Sequence, residues 1–169
     1  MMDVDTAQPI FISGINGFVG GHLAERLLKN GFSVRGLARS QEKAAWLSSL
    51  GIEIVSADLL DPTSLAEAIQ GCRTIIHLAA WTEHLDVGNS ASQLAWQTNV
   101  DGTINLLAAA RSQGVNQFVH VSSTSVYGVT AKPLIDENVP CIPVGHIYPD
   151  SKAAAEVAVR ASGLPWVIV

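Results

Sequence analysis

Tyr148 and Lys152 stand four residues apart in the stretch GHIYPDSKAAAE, residues 145–156. The segment from Ser151 to Ala161 is rich in alanine and contains neither glycine nor proline, so it predicts a helix. Residues four apart lie on the same helix face and can reach one ligand. The pair is either a proton carrier with a cation that lowers its pKa, or a structural aromatic residue beside a solvated lysine.

A second candidate site is the glycine-rich stretch FISGINGFVGGHLAERLLKNG, residues 11–31. Gly14, Gly17 and Gly20 stand between a predicted strand and a predicted helix with the spacing G-x-x-G-x-x-G. They would allow, in order, a tight turn, close approach of a pyrophosphate, and packing of the helix on the sheet. Free N–H groups at the helix start would attract phosphate. The pattern favours a dinucleotide site over a plain turn whose glycines serve packing.

The end of the second predicted strand selects the cofactor. In NAD-binding units an acid at this point holds the ribose 2′-hydroxyl group. Here the strand ends at Ala38, Arg39 and Ser40, without a carboxylate. An arginine followed by a hydroxyl suits the 2′-phosphate of NADP, so we predict NADP with NAD as the alternative. A solvated arginine at a strand end is the structural interpretation.

The stretch SADLLDP, residues 56–62, offers one more cofactor contact. Asp58 follows the third predicted strand and could accept a hydrogen bond from the adenine amino group. It could also cap the next helix, although Asp61 before Pro62 fits that role better.

Strand and helix patterns alternate along the whole chain, which demands crossover connections and a parallel sheet covered on both faces. We therefore predict a doubly wound α/β (Rossmann) fold with strand order 3-2-1-4-5-6. His77 and His120 lie within apolar strands and are interpreted as core histidines. The predicted strands are 9–13, 32–38, 52–56, 73–79, 116–122 and 165–169, and the predicted helices are 18–30, 41–50, 63–70, 92–113 and 150–162.

The composition excludes several classes of protein. With 169 residues, 48% hydrophobic and 15% charged, the chain predicts one globular domain, residues 1–169. A net charge of −5 without a basic block argues against a nucleic-acid surface. No signal peptide or membrane-spanning run is visible, and the two cysteines and five histidines lack metal-ligand spacing. We expect a cytoplasmic protein without a metal or a membrane partner.

Six motifs are spread over nearly the whole chain: GINGFVG (14–20), DLLD (58–61), HLAA (77–80), NVDGT (99–103), VSSTSVYG (121–128) and YPDSK (148–152). Taken together, they resemble the motifs of the extended short-chain dehydrogenase/reductases, the epimerase/dehydratase group that includes hydroxysteroid-dehydrogenase-like enzymes. The motifs occur in that family's order and at its spacing.

The resemblance implies a catalytic set of Ser123, Tyr148 and Lys152, together with Asn99 as a water relay, a helix kink or a purely structural residue. Thr124 and Ser125 are alternative donors that rank below Ser123 in the family register, and Tyr127 is interpreted as pocket wall. The implied cofactor contacts are Gly14, Gly17, Phe18, Val19, Gly20, Arg39, Ser40, Asp58, Leu59, Ala79, Ala80, Tyr148 and Lys152.

The implied chemistry depends on the tyrosine. A free phenol titrates near pH 10, but Lys152 and an oxidised nicotinamide are two cations that would favour the phenolate. Lowering the pKa by about three units needs roughly 4 kcal/mol. We predict an NADP-dependent oxidoreductase for a secondary alcohol or ketone. The alternatives are an NAD-dependent nucleotide-sugar epimerase or dehydratase, and a dinucleotide-sensing module without catalysis.

The resemblance also implies something that the 169 residues do not contain. Family members continue past the sixth strand into a smaller C-terminal region that shapes the substrate site, whereas this sequence stops at WVIV. We therefore expect a fragment of a longer protein whose substrate cannot be identified from these residues. The expected partner is a small-molecule substrate, with a homodimer as the assembly to test.

Overall fold

Six short strands form the centre of the molecule. The computed structural model describes residues 8–82, 89–129 and 134–169, and for residues 89–91 it describes the backbone only. All strand pairs are parallel, and the order is β3-β2-β1-β4-β5-β6. This confirms the predicted doubly wound sheet and its order. The strands are β1 (Ile10–Ser13), β2 (Val34–Ala38), β3 (Glu53–Ser56), β4 (Thr74–His77), β5 (Gln117–His120) and β6 (Trp166–Ile168), each within its predicted range.

Helices cover the sheet and connect its strands. The predicted helix over 92–113 is an unbroken helical segment that contains a π-helical turn at Gln97–Asp101. A 3₁₀ turn, Glu42–Ala44, precedes the second helix, and another, Thr124–Tyr127, follows β5. The α-helices are α1 (Phe18–Lys29), α2 (Ala45–Ser49), α3 (Pro62–Ala68), α4 (Asn89–Trp96), α5 (Gly102–Ser112) and α6 (Ile147–Arg160).

Helix α6 starts three residues earlier than predicted, which places Tyr148 in its first turn. The prediction began the helix after Pro149, but proline is tolerated in the first turn, where its missing N–H has no partner to lose. The carboxylate of Asp150 accepts hydrogen bonds from the backbone N–H groups of Val144 (2.7 Å) and Gly145 (3.0 Å). These bonds fasten the preceding loop to the helix start.

The apolar core lies in two clusters of buried residues. Strand β1 contributes side chains to both clusters, because alternate side chains of a strand point to opposite faces of the sheet. Phe11 belongs to one cluster and Ile12 to the other. The first cluster packs β1, β4 and β5 against α3, α5 and α6, and the second packs β1 and β2 against α1 and α2. Within residues 8–82, 89–129 and 134–169, no helix is long and apolar enough to cross a membrane.

Candidate active site

A cavity of about 920 Å³ opens at the carboxyl ends of β1, β2 and β4. This is the edge of a doubly wound sheet where ligands bind, because the strand order reverses there. Every predicted cofactor contact other than Tyr148 and Lys152 lines the cavity. Those residues are Gly14, Gly17, Phe18, Val19, Gly20, Arg39, Ser40, Asp58, Leu59, Ala79 and Ala80.

The glycine turn is packed so tightly that two of its positions exclude a side chain. Gly14 has φ +73°, and a Cβ atom there would lie 2.6 Å from the backbone nitrogen of Ala79. At Gly20 a Cβ atom would collide with the carbonyl oxygen of Gly14 and lie 2.7 Å from Cα of Ile15. These contacts are with backbone atoms, which cannot rotate away. The turn therefore holds the start of α1 directly against the end of β1.

The start of α1 is open to a ligand. Gly17 is the N-cap and provides no side-chain cap, and the first turn contains no acidic residue. Phe18 and Val19 line the cavity with 82% and 57% of their surface exposed. Uncapped N–H groups and the helix dipole attract anions, so a phosphate group fits this position.

Two cations line the cavity in the segment that follows the carboxyl end of β2. Arg39 and Ser40, which the sequence predicts as cofactor contacts, line the cavity, and Lys43 lines it as well. The backbone N–H of Lys43 lies 3.4 Å from Oγ of Ser40, at the start of the turn that carries the lysine. Sequence reasoning did not assign Lys43. The available signal was a second cation four residues after Arg39, inside the predicted helix over 41–50 that follows the strand.

The two aspartates after β3 have separate roles. Asp61 is the N-cap of α3, since its Oδ1 accepts from the N–H of Thr63 at 3.0 Å and Pro62 follows. Asp58 lines the cavity, and its Oδ1 accepts from the N–H of Leu60 at 2.9 Å. Asp58 is thus not the helix cap, and its carboxylate lies at the edge of the cavity.

Lys152 is buried, with 3% of its surface exposed. Its Nζ donates to the carbonyl oxygen of Val121 at 2.7 Å and lies 3.2 Å from Nε2 of His120. Burial lowers the pKa of Lys152 to about 8, against the opposing charge of Glu156. Helix α6 therefore brings the lysine to the carboxyl end of β5, where the predicted catalytic serine also lies.

Ser123 is the N-cap of the 3₁₀ turn that follows β5. Its Oγ accepts from the N–H of Ser125 at 3.2 Å and lies 2.8 Å from Oγ of Ser125. The hydroxyl is thereby oriented by its own turn. Ser125, predicted as an alternative donor, is in direct contact with it, so the two hydroxyls form one unit.

Asn99 joins three elements of the site. Its Oδ1 accepts from the N–H of Trp81 at 2.6 Å, and its Nδ2 donates to the carbonyl oxygen of Trp81 at 3.2 Å and to Oγ of Ser151 at 2.9 Å. Ser151 donates in turn to the carbonyl oxygen of Tyr148 at 2.8 Å. Asn99 itself lies in the π-helical turn, a feature frequent at functional sites. The contacts fit two of its three predicted roles, the helix irregularity and the structural link.

His77 is a satisfied core histidine, as predicted. It is 1% exposed, with Nδ1 2.6 Å from Oγ of Ser13 and Nε2 2.9 Å from Oγ1 of Thr103. Thr103 donates its proton to the carbonyl oxygen of Asn99 at 2.6 Å, so Nε2 of His77 must carry the ring proton and donate to Thr103. Burial is the main cause that lowers the pKa of His77 well below 6.5.

Because two histidines are buried, we expect the fold to lose stability at acidic pH. Burial, with the charge of Lys152, lowers the pKa of His120 from 6.5 to about 3, so the folded state binds fewer protons than the unfolded state between these values. Stability should therefore fall as the pH drops from 6.5 towards 3, by up to about 1.4 kcal/mol per pH unit for each buried histidine. Urea unfolding at a series of pH values measures this slope. His120→Gln should reduce this slope by the contribution of one proton, up to about 1.4 kcal/mol per pH unit. Equal slopes for the variant and the unmodified protein would contradict the lowered pKa of His120.

The comparisons with known proteins agree with this geometry. The sequence model of the NAD dependent epimerase/dehydratase family matches residues 10–168. The chain belongs to this family. The predicted resemblance to the extended short-chain dehydrogenase/reductases is thereby confirmed, and with it the assignment to an NAD(P)-dependent family of enzymes.

Relatives within the family include enzymes of two types. A 4-hydroxy-2-methyl-3-oxo-4-farnesyl-3,4-dihydroquinoline-1-oxide ketoreductase of Stigmatella aurantiaca is 34% identical over 90% of this chain and 46% of its own length. An N-acetyl-alpha-D-glucosaminyl-diphospho-ditrans,octacis-undecaprenol 4-epimerase of Escherichia coli O157:H7 is 36% identical over 89% of this chain and 42% of its own.

A solved structure supports the fold. A short-chain dehydrogenase/reductase superfamily protein of Agrobacterium tumefaciens, crystallised with bound NAD, superposes with a TM-score of 0.82 at 30% identity. The match covers 94% of this chain and 47% of the other. The chain thus spans about half or less of the length of these three relatives.

Proposed function

We propose that this chain is the cofactor-binding and proton-transfer part of an NADP-dependent oxidoreductase that interconverts a ketone and a secondary alcohol. The observation that carries the proposal is the end of β2, where two cations and a hydroxyl line the cavity and no carboxylate follows Ala38. The ketoreductase relative supports the reaction class.

The cavity fits the dinucleotide. The N–H groups at the start of α1 would hold the pyrophosphate, and the glycine turn leaves no Cβ atom in its way. Arg39, Ser40 and Lys43 would hold the 2′-phosphate, and Asp58 would accept from the adenine amino group. When bound, the nicotinamide supplies or accepts a hydride.

The residues of the chain handle the proton. Tyr148 would pass it to or from the substrate oxygen, and Ser123 would donate a hydrogen bond to that oxygen as charge develops on it. Lys152 would contact the nicotinamide ribose and favour the phenolate through its charge. Asn99 would hold the start of α6, and so the backbone of Tyr148, in place through Ser151.

The cofactor prediction is tested at Arg39 and Lys43. Arg39→Ala should weaken NADPH binding by about 1.5–3 kcal/mol, the size of a lost hydrogen bond between charged groups, and leave NADH binding nearly unchanged. Lys43→Ala should act in the same direction with a smaller loss, because a lysine does not form the two parallel bonds of an arginine. Fluorescence titration of each variant with both cofactors measures these changes.

The control for this experiment is Arg111→Ala, which removes an exposed cation from the last turn of α5 and should leave both affinities unchanged. Equal losses for NADPH and NADH in Arg39→Ala would show that the arginine does not read the 2′-phosphate. Tighter binding of NADH than of NADPH by the unmodified protein would reverse the cofactor assignment.

A nucleotide-sugar epimerase or dehydratase is the second candidate. The epimerase relative and the NAD-bound structure favour it. Such an enzyme regenerates its cofactor within each turnover, so it would purify with NAD bound and need no added NADPH. Cofactor released by denaturing the purified protein, identified by chromatography, separates the two candidates. A sensing module would bind the dinucleotide but would reduce no ketone when NADPH is supplied.

A further inference from the structure

His120, the last residue of β5, lies directly against Lys152. The histidine is fully buried, and its Nε2 is 3.2 Å from Nζ of the lysine. The same Nζ donates to the carbonyl oxygen of the next residue, Val121, at 2.7 Å. Two adjacent residues of one strand end therefore contact the ammonium group.

The chemistry of the two groups determines which one donates. An ammonium group has three donors and no acceptor, so Nε2 of His120 must accept and the ring proton must be on Nδ1. That Nδ1 atom is buried and has no hydrogen-bond partner among the described residues. His77 differs, because Ser13 and Thr103 contact both of its ring nitrogens.

Core packing does not explain a histidine at position 120. A buried donor without a partner destabilises a fold, and an apolar side chain would avoid that cost. Phe118, two residues earlier on the same strand face, is fully buried in the apolar core and shows that the face accepts such a side chain. What the imidazole provides in exchange is a lone pair for Lys152.

We propose that His120 is a positioning residue for Lys152, whose ammonium group is held between the Nε2 lone pair and the carbonyl oxygen of Val121. Two of the three N–H groups are thereby occupied, and one remains for a ligand. The proposal rests on the proposed function in one respect, since the benefit of a fixed ammonium group depends on Lys152 acting on the cofactor and on Tyr148. The hydrogen bond itself does not depend on that function.

The charge states at neutral pH suit this role. Burial, with the charge of Lys152, lowers the pKa of His120 to about 3, and burial lowers that of Lys152 to about 8, so the ring is neutral and the amine is still mostly protonated. The other titratable groups around the pair are Glu156 and Tyr148 on the same helix and His77 on β4, whose ring centre is 5.3 Å from that of His120. Glu156 favours the ammonium form.

The first test uses the unmodified protein. Nitrogen NMR of the five histidine side chains at neutral pH reports which ring nitrogen carries the proton. His120 should be the Nδ1–H tautomer and His77 the Nε2–H tautomer. The Nε2–H tautomer at His120 would overturn the proposal, whatever the protein catalyses.

The second test measures the titration of Lys152. The chain has four lysines, so their ¹³Cε resonances after labelling can be resolved and assigned by substitution. In His120→Phe the pKa of Lys152 should fall by about one unit or more, because the ammonium group loses an acceptor. His120→Gln keeps an acceptor oxygen, so the pKa of Lys152 in this variant should stay near its value in the unmodified protein. His77→Gln is the matched control, a buried histidine that does not contact the lysine, and should leave it unchanged.

The outcomes separate this proposal from the proposed function. An unchanged Lys152 titration in His120→Phe, or an equal change in His77→Gln, would refute the positioning role. The expected change together with unaltered NADPH affinity would support the positioning role and count against the function proposed for Lys152. If His120→Phe does not fold, the tautomer of His120 in the unmodified protein still decides.

Discussion

Tyr148→Phe is expected to reduce kcat by about 10²–10⁴-fold, the usual contribution of general acid–base catalysis, while NADPH affinity stays nearly unchanged. The substitution removes one oxygen atom and keeps the aromatic ring in the first turn of α6. The proton would then have no carrier between the substrate oxygen and solvent. The measurement is the loss of reduced-nicotinamide absorbance with a panel of ketones, and the variants are compared on the ketone that the unmodified protein reduces fastest.

The chain provides a matched control for this experiment in its only other tyrosine, Tyr127. It lies in the 3₁₀ turn after β5, and desolvation together with the nearby Cys141 and Glu156 raises the pKa of its phenol. A phenol with a raised pKa is a poor base at neutral pH, so Tyr127→Phe should keep most of the turnover. If Tyr148→Phe keeps more than about a tenth of it, Tyr148 is an aromatic residue at a helix start and not the proton carrier.

Gly20→Ala is expected to have the second large effect. Alanine would favour helix α1 by about 1 kcal/mol over glycine. Its methyl group, however, would collide with backbone atoms of Gly14 and Ile15, and overpacking of this kind costs about 1–3 kcal/mol or more. The turn must then move away from the helix. We expect a net loss of stability and a fall in NADPH affinity of about tenfold or more, since 1.4 kcal/mol corresponds to one decade.

The neighbouring Gly21→Ala is the control, because it makes the same chemical change in the same helix. A Cβ atom at Gly21 would lie 2.9 Å from the ring of Trp46, whose side chain is 46% exposed and can rotate away. This variant should be as stable as the unmodified protein or slightly more so. Urea unfolding and NADPH titration of both variants measure the contrast, and similar values for the two would show that the packing of the turn does not matter.

The sequence alone determined the architecture and many of the residues that line the cavity at the carboxyl ends of β1, β2 and β4. The alternation of apolar strands and helices predicted all six strands, and the right-handed crossovers that it demands predicted their order. Gly14 and Gly20 could be recognised because a tight turn and a close helix–sheet contact each require glycine wherever they occur. These features depend on local backbone conformation and on the period of the apolar side chains, which a single sequence displays directly.

Only the tertiary structure decided which side chains meet inside the site. Lys43 joins Arg39 in the cavity because a 3₁₀ turn follows β2 there, and local propensity distinguishes such a turn poorly from an ordinary helix. Asn99 and Ser151 are separated by 52 residues, and His120 and Lys152 by 32, so no local pattern shows that they touch. Packing of the π-helical turn and of β5 against α6 creates both contacts. Burial then follows from the same packing, and burial is what lowers the pKa values of Lys152 and His120.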